Sequence, residues 1–274
     1  MNLYRGCTHG CIYCDSRSKC YQMEHDFEDV QVKRNAPQLL EQALRRKKKR
    51  CMIGTGAMSD PYLPIEEEYR LTRRCLELIE EYGFGVSLLT KSDLVLRDLD
   101  VLKRIATKTK CVVQMTLTTY DEQLCRIVEP NVCTTARRAQ VLRTLHEEGI
   151  ETVVWFCPIL PFLNDTRENV QGILHHCEQA HVKKILSFGM GMTLREGNRE
   201  YYYQKLDQHF PGVKQQYIKS FGNRYAFSSL KGEELTGLFL TACRRKGIET
   251  SQKRIFSYLS TFEDKQEQNQ LRLF

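Results

Sequence analysis

Short apolar segments alternate with longer amphipathic segments along roughly the first two thirds of the chain. The apolar segments carry β-branched residues and are bounded by turn residues, which is the pattern of buried parallel strands. They are residues 2–5, 52–56, 85–90, 111–118, 152–159 and 184–190. Helical spacing of apolar positions marks residues 37–49, 65–82, 94–107, 134–148 and 167–180. The pattern therefore predicts a series of strand–helix units.

Six such units in series predict an α/β fold with a parallel sheet and right-handed crossovers. Six are too few to close an eight-stranded barrel, so we expect an open, partial (β/α)6 barrel with its site at the C-terminal strand ends. The alternation weakens after about residue 193, where residues 198–210 and 232–247 have helical patterns. We therefore predict a barrel over residues 1–195, a small, mainly helical C-terminal extension packed on it over 196–262, and a flexible tail over 263–274.

The composition restricts the class of protein. Of the 274 residues, 41% are hydrophobic, which suffices for a sizeable core, and no apolar run approaches the ~20 residues of a membrane helix. No secretory signal precedes the first cysteines, so we expect a cytoplasmic protein without membrane contact. Lysine and arginine number 41 against 34 acidic residues, and the net charge of +7 permits a polyanionic partner without requiring one. The twelve cysteines are expected to be free thiols in a reducing compartment.

The stretch "RGCTHGCIYCDSRSKCY" gathers four cysteines directly after the first predicted strand. Cys7, Cys11 and Cys14 form a C-x3-C-x2-C pattern, and Cys20 lies outside it. Three interpretations compete. A structural zinc site would need a fourth ligand from Cys20 or His9. The thiols are otherwise a chance group of buried side chains, or they hold an iron–sulfur cluster with one iron left open for chemistry.

The three-cysteine pattern, with Tyr13 directly before Cys14 and at the head of serial strand–helix units, resembles the radical S-adenosylmethionine (SAM) superfamily. The resemblance implies a [4Fe–4S] cluster on Cys7, Cys11 and Cys14, whose fourth iron chelates SAM. One electron into the cluster would cleave SAM to methionine and a 5′-deoxyadenosyl radical, which abstracts hydrogen from a substrate. It also implies a reductant such as flavodoxin or ferredoxin, and it places Tyr13 among the catalytic and SAM-contacting residues.

Further segments narrow the resemblance. They are "GAMSDPYLPIE", "LLTKSDLVLRDLD", "IVEP", "PILPFLND" and "LREGNREYY". Together with the cysteine motif they resemble the spore photoproduct lyase-like branch, often described as DNA repair photolyase-related. The resemblance covers nearly the whole chain and implies a DNA lesion as the substrate.

One departure from the lyase concerns its hydrogen-atom donor. The lyase uses a cysteine just before the serine–aspartate pair that follows the second strand, and here Met58 fills that place. A thioether has no S–H to donate. We therefore predict that the chain does not repair spore photoproduct by that route unless Cys20, Cys51 or Cys157 substitutes, and Cys20 is carried forward as a catalytic candidate.

The resemblance also assigns SAM contacts to residues at the strand ends. Gly54, Thr55, Gly56, Ser59 and Asp60 would receive the SAM amine, Lys91 the carboxylate, Thr116 and Thr118 the ribose, and Gly189 and Gly191 the adenine. Each assignment has a structural alternative. The glycines are also typical of strand-ending turns, a lysine is also a common surface cation, and threonine is also an ordinary strand residue.

Two further segments have less specific interpretations. Glu129 and Arg137 resemble family positions, although a structural role is open, with Arg137 paired to a carboxylate. "PILPFLND" is interpreted as a rigid loop that closes the site, with Asn164 or Asp165 capping the next helix.

The chain ends in "QLRLF", residues 270–274, which resembles the peptide by which bacterial polymerases and repair proteins bind the sliding clamp. Leu271, Leu273 and Phe274 would be the apolar anchors and Gln270 a polar contact. This partner would place the enzyme on DNA. Two alternatives remain open: a radical SAM enzyme acting on tRNA, a peptide or a small metabolite, and a non-catalytic iron–sulfur or zinc protein that binds nucleic acid.

Overall fold

The computed structural model describes residues 1–265. Its strands are β1 (Tyr4–Arg5), β2 (Gln31–Val32), β3 (Met52–Thr55), β4 (Gly85–Thr90), β5 (Cys111–Thr116), β6 (Glu151–Trp155), β7 (Ile185–Leu186), β8 (Gly191–Thr193) and β9 (Ala226–Ser228). Its helices are α1 (Ala36–Arg46), α2 (Glu66–Tyr69), α3 (Leu71–Glu81), α4 (Leu99–Lys108), α5 (Glu122–Val128), α6 (Thr135–Glu147), α7 (Arg167–Gln179), α8 (Asn198–His209), α9 (Val213–Phe221), α10 (Gly232–Arg245) and α11 (Gln252–Ser260).

A parallel sheet with strands in the order β3-β4-β5-β6-β7 forms the centre of the fold. Consecutive strands are neighbours, and helices connect them, as serial strand–helix units require. The expected α/β class, with an open parallel sheet and a mainly helical C-terminal part, is therefore confirmed.

The first predicted strand lies outside this sheet. β1 pairs antiparallel with β2, so the parallel sheet of residues 1–265 has five strands where six were predicted. The chain turns sharply at Gly6, whose φ of +94° suits glycine, and Cys7 N–H then donates to Phe27 O (2.8 Å). The returning segment before β2 thereby becomes the partner of β1.

Alternating side chains of the sheet enter two different apolar clusters. On one face, Val113, Met115 and Val154 join the main core, which is completed by side chains of the surrounding helices. On the other face, the side chains share a smaller cluster with helix α11. That cluster contains Val112, Val153, Leu186, Ile255 and Leu259. Because side chains alternate between the two faces of a strand, every second residue faces the main core and the residues between them face α11.

Several predicted helices have different limits in the structure. The predicted helix over 65–82 is divided at Arg70, which has a left-handed φ of 49° between α2 and α3. The predicted cap of α7 was wrong: Thr166 accepts from Asn169 N–H (3.1 Å). Asn164 instead accepts from Leu160 N–H (2.6 Å), because its side chain is buried inside the preceding loop.

Helices of the C-terminal part pack on the barrel. Tyr202 and Leu206 of α8 and Tyr217 of α9 share a buried cluster with Ile12 of the cysteine-rich segment. The division at residue 195 stays a prediction, since residues on both sides contribute to this cluster. No helix within residues 1–265 is long and apolar enough to cross a membrane. The clamp-binding pattern at 270–274 lies outside the described residues and stays a prediction.

Candidate functional site

A cavity of about 700 Å³ opens at the C-terminal ends of the parallel strands. Its wall includes the cysteine loop (residues 6–16), the segment after β3, the end of β4, the segment after β6, and the antiparallel pair β8–β9. Parallel α/β folds bind ligands at this edge because the loops that follow the strands meet there. The size is that of a site for a small ligand or cofactor.

Cys7, Cys11 and Cys14 all line the cavity. Burial raises the pKa of the Cys7 thiol to about 12 and that of Cys11 well above its ordinary value, so both are protonated at neutral pH until a metal displaces the proton. Within residues 1–265, no three His, Cys, Asp or Glu side chains converge on a point that would hold a single metal ion. A cluster takes each thiolate on a separate iron, and the three thiols that line this one cavity are the type of donor that an iron–sulfur cluster requires.

The other cysteines considered as hydrogen donors are distributed differently. Cys20 is exposed and outside the cavity, and its Sγ accepts from Arg195 Nη1 (3.3 Å). Cys51 precedes β3, at the opposite end of the sheet, and packs against the main core. Cys157 lines the cavity, and burial raises the pKa of its thiol to about 12. Cys20, the predicted catalytic candidate, therefore lies outside the cavity. Of the three cysteines considered as hydrogen donors, Cys157 is the one that lines it.

Met58 and Ser59 lie in the segment after β3 and line the cavity. The Ser59 hydroxyl donates to Gly6 O (2.6 Å), which ties this segment to the cysteine loop. The Met58 thioether thus faces the same space as the three cysteines, at the position where the resemblance leads one to expect a thiol.

Asp60 connects the segment after β3 to the end of β4. Its Oδ1 accepts from Tyr62 N–H (2.9 Å) and the Thr90 hydroxyl (2.7 Å), and its Oδ2 accepts from Lys91 N–H (2.7 Å). His9 Nε2 lies 3.1 Å from Oδ2 without the alignment of a hydrogen bond. Burial disfavours the carboxylate, but the charge of His9 and these hydrogen bonds outweigh burial and lower the pKa of Asp60 to about 2. Asp60 therefore fixes the wall of the cavity as an anion.

The three residues of the "GTG" sequence have different surroundings. Gly56 lines the cavity with a φ of +94°, and a Cβ there would lie 1.9 Å from Leu89 O. Only glycine permits this approach of β3 to β4. Gly54 and Thr55 belong to β3 itself and do not line the cavity, and Gly54 O accepts from the Met1 amine (2.5 Å).

Lys91 follows β4 directly and lines the cavity. Among residues 1–265, its ammonium makes no hydrogen bond or ion pair, and its Nζ lies 5.9 Å from the centre of the Tyr13 ring. Burial disfavours the ammonium, but the negative charge that Cys11 carries once it is deprotonated, together with that of Glu129, outweighs burial and raises the pKa of Lys91 above its ordinary value. A permanently charged lysine with an unused head group is suited to bind an anion in the cavity.

A buried network lies behind the cysteine loop. Glu129 accepts hydrogen bonds from the Tyr13 hydroxyl and from Arg138, and Arg138 Nη1 donates to Thr116 O (2.7 Å). Burial disfavours the Glu129 carboxylate, but Arg138 and Lys91 outweigh burial and hold the pKa of Glu129 below its ordinary value. The network joins Tyr13 to the end of β5 and gives Glu129 a structural partner.

Sequence reasoning selected Arg137 and missed its neighbour. Arg137 is exposed, and its Nε pairs with Asp93 Oδ2 (2.8 Å). It therefore has the structural role considered above, in which it pairs with a carboxylate. Arg138 is fully buried and makes the internal contacts. The signal was present in the helical spacing, because Arg138 lies three and four residues before the apolar Val141 and Leu142 on the buried face of α6.

The remaining predicted residues divide into those that line the cavity and those that do not. Thr116 and Gly191 line it. Thr118 does not, since it lies beyond β5 and its carbonyl accepts from Asn164 Nδ2 (3.1 Å). Gly189 also lies outside the lining, although its φ of +98° suits glycine.

Several lining residues were not predicted. They include Trp155, Ala226, Phe227 and Ser228. Trp155 had a signal in the strand alternation, since it shares the α11 face of the sheet with Val153. The β9 residues had none, because their antiparallel pairing with the distant strand β8 is not visible in either short segment alone.

The fold and the site together define an α/β partial-barrel protein with three cysteines lining a cavity at the carboxyl edge of its sheet. The family model of the radical SAM superfamily matches residues 1–175, which is more than half of the chain. The chain therefore belongs to the radical SAM superfamily, whose members use a [4Fe–4S] cluster and SAM. The expected superfamily and cofactors are confirmed.

Two curated relatives are themselves uncharacterized proteins. One, from Methanocaldococcus jannaschii, is 35% identical over 167 residues, covering 60% of this chain and 61% of the relative. Another, from Mycobacterium tuberculosis, is 29% identical over 223 residues, covering 79% of this chain and 65% of the relative. The chain thus spans less than two thirds of the length of either protein.

Solved structures show the same fold at low sequence identity. A spore photoproduct lyase variant with bound AdoMet (SAM) and dinucleoside spore photoproduct matches with a TM-score of 0.66 and 16% identity, covering 91% of this chain and 76% of that one. The lyase complexed with dinucleoside spore photoproduct matches with a TM-score of 0.65 and 14% identity, covering 90% and 74%. A radical SAM methyltransferase from Kitasatospora setae matches with a TM-score of 0.52 and 13% identity, covering 76% and 38%.

Proposed function

We propose that the chain is a radical SAM enzyme that cleaves SAM reductively and acts on a nucleic-acid substrate, with a DNA lesion as the first substrate to test. The observation that carries the proposal is that Cys7, Cys11, Cys14 and the unpaired ammonium of Lys91 line one cavity. Three thiols and a cation are the donor set that a cluster and the carboxylate of SAM require together.

The residues would divide the binding of the cofactors among them. Cys7, Cys11 and Cys14 would hold the [4Fe–4S] cluster, and Lys91 would pair with the SAM carboxylate. When bound and reduced, cluster and SAM supply a 5′-deoxyadenosyl radical that abstracts hydrogen from the substrate. Gly56 would offer its backbone carbonyl to the SAM amine.

Other lining residues would complete the SAM site and exclude water. Thr116 would contact the ribose, and Gly191 would lie against the adenine. A Cβ at Gly191 would lie 2.1 Å from Phe227 O, so glycine also permits the close pairing of β8 with β9. The apolar side chains of Leu89 and Met192 face the cavity and reduce its access to water. Exclusion of water protects a reactive intermediate from side reactions.

Cys157 would be the hydrogen-atom donor in place of the missing thiol at Met58. Its burial and raised pKa keep the sulfur protonated, which is the form that can donate. Donation would break the S–H bond of Cys157 and form a C–H bond on a substrate carbon radical, leaving a thiyl radical. One electron from a flavodoxin- or ferredoxin-type reductant and one proton from solvent would restore the thiol.

The nucleic-acid substrate is supported by the structural comparison. Spore photoproduct lyase, which shares the fold, is seen with a dinucleoside spore photoproduct bound. The net charge of +7 is compatible with a polyanionic partner. Because the sequence identity to the lyase is only 14–16%, the lesion that serves as substrate has to be identified by experiment.

The test is anaerobic reconstitution with iron and sulfide, followed by reduction in the presence of SAM. We expect about four irons per chain, a visible absorption band, and release of 5′-deoxyadenosine. Substrates are then screened by transfer of deuterium from labelled lesion-containing DNA into 5′-deoxyadenosine, with labelled tRNA as the competing class. Binding of a single zinc ion without SAM cleavage would contradict the proposal.

A further inference from the structure

Three aromatic side chains meet at the mouth of the cavity. The ring of Trp155, at the end of β6, lies 5.7 Å from the ring of Phe188 and 6.3 Å from that of Phe256 on α11. The rings of Phe188 and Phe256 are 6.2 Å apart. We call these three residues the aromatic platform.

Hydrogen bonds fix the platform on the scaffold. Trp155 Nε1 donates to Gln114 Oε1 (2.8 Å), which holds the indole against the end of β5. Gln252 Nε2 donates to Ser187 O (2.7 Å), which ties α11 to the residue before Phe188. Trp155 is therefore held on β6 against β5, Phe256 is held on α11, and the segment that carries Phe188 is tied to α11.

The platform is open to solvent and continuous with the cavity. Phe188 is 53% exposed and Phe256 is 43% exposed, and Trp155 and Phe188 also line the cavity. A single exposed apolar side chain is common on a protein surface, but three contacting rings at a cavity mouth form a patch that marks a binding surface.

The charges beside the platform indicate which flat ligand it would receive. Lys253 precedes Phe256 by three residues on α11, so the two side chains are neighbours on the helix surface. Lys253 is exposed and makes no ion pair within residues 1–265. Glu249, which precedes α11, is engaged by Arg254 (2.5 Å). Flat rings beside an unpaired cation suit a chain of bases and phosphates.

We propose that the aromatic platform stacks an unpaired base of a polynucleotide next to the cavity, while Lys253 contacts the backbone phosphate. The inference rests on the proposed function in that the cavity is the reaction site. The inference adds which part of the chain recognises the substrate. It also adds the state of the bound substrate, which is a base taken out of a duplex or already single-stranded.

The chain has a single tryptophan, and it belongs to the platform, so its emission reports on this surface directly. We would titrate the full chain with single-stranded oligo(dT), single-stranded oligo(U) and a fully paired duplex of equal length, following tryptophan emission and fluorescence anisotropy of the labelled strand. We expect saturable quenching by single strands and weaker binding of the duplex. Comparison of oligo(dT) with oligo(U) shows whether the bound base comes from DNA or from RNA.

Variants separate stacking from general affinity. Phe188→Ala and Phe256→Ala are each expected to weaken single-strand binding about 5- to 150-fold, the fold-change equivalent to about 1–3 kcal/mol. Lys253→Ala should reduce the salt slope of log affinity by about 1. The matched control is Tyr120→Ala, because Tyr120 is also 43% exposed and does not line the cavity, and it should bind like the parent chain. Thermal unfolding confirms that each variant folds.

The inference would be overturned by unchanged affinity in both phenylalanine variants, by binding of single strands without a change in tryptophan emission, or by preference for the intact duplex. Quenching by an aromatic peptide but not by either oligonucleotide would overturn it in favour of a peptide substrate. None of these measurements needs the cluster or SAM. Loss of SAM cleavage with intact quenching would therefore contradict the proposed reaction and leave the platform standing.

Discussion

Arg138 and Glu129 form an ion pair with both side chains fully out of contact with solvent. The second carboxylate oxygen of Glu129 accepts from the Tyr13 hydroxyl, and Tyr13 directly precedes Cys14. The pair therefore supports the cysteine loop from behind, without lining the cavity itself. A buried charge that loses its partner is strongly destabilising, whereas an exposed pair contributes little.

Arg138→Met should lower the free energy of unfolding by about 3–5 kcal/mol, because it leaves the Glu129 carboxylate buried without its cation. Arg137→Met is the matched control: the neighbouring arginine is exposed in its pair with Asp93, and its loss should cost at most about 1 kcal/mol. Urea unfolding followed by circular dichroism measures both. Equal losses in the two variants would show that the buried pair does not carry the stability assigned to it.

Gly56→Ala should destabilise the fold and impair SAM binding. The left-handed backbone alone costs about 1–2 kcal/mol for an L-residue, and the new Cβ would also collide with Leu89 O. Gly54→Ala, two residues earlier, meets nothing within 4 Å and should change stability by no more than about 0.5 kcal/mol. Thermal unfolding and equilibrium dialysis with labelled SAM test the pair of variants. A well-folded Gly56→Ala protein with full SAM affinity would refute the argument.

The strand pattern predicted the class of fold because buried parallel strands are continuous apolar runs, and those runs are long in this chain. It also predicted where the site lies, since residues directly after strands reach the same edge. The strand pattern wrongly placed Gly54 and Thr118 in the site, because a shift of one or two residues along a strand end moves a residue out of the cavity.

Other features could not be predicted because they depend on contacts distant in sequence. Helix α11 covers the open face of the sheet through Ile255 and Leu259, and nothing in its local sequence identifies that partner. The exposure of Cys20 has a similar origin, because Lys19 N–H donates to Glu196 O (3.0 Å) and holds the turn away from the cavity. Cys157 lies in the predicted strand 152–159 and Cys20 in a polar stretch, but only the tertiary structure shows that Cys157 lines the cavity and Cys20 does not.

Replacement of any one of Cys7, Cys11 or Cys14 by Ala should remove most of the visible cluster absorption and the reductive release of 5′-deoxyadenosine, because each thiolate would hold a different iron. The control is Cys20→Ala, which removes an exposed thiol from the same stretch of sequence and should retain both signals. Iron and sulfide analysis after anaerobic reconstitution gives the stoichiometry. Full cluster content in a Cys11→Ala protein would contradict the ligand assignment.

Lys91→Met should weaken SAM binding about 10- to 150-fold, because a charged hydrogen bond to the SAM carboxylate is worth about 1.5–3 kcal/mol. The cluster should persist, since the lysine is not one of its ligands. Lys103→Met, which removes an exposed lysine paired with Glu148, is the control and should bind SAM normally. Equilibrium dialysis on reconstituted protein compares the dissociation constants. If Lys91→Met binds SAM as tightly as the parent, the carboxylate must have another partner.

Cys157→Ala should separate the start of the reaction from its completion. The variant keeps the cluster ligands and Lys91, so release of 5′-deoxyadenosine should continue, while formation of the final product on the substrate found in the deuterium screen should fall. In D2O the thiol hydrogen exchanges with solvent, so the parent chain should place deuterium from solvent in the product. Cys51→Ala is the control, because that cysteine packs at the other end of the sheet and should leave product labelling unchanged. Product formed by Cys157→Ala with the same yield and the same solvent deuterium as the parent would exclude Cys157 as the donor and direct attention to a substrate-derived hydrogen.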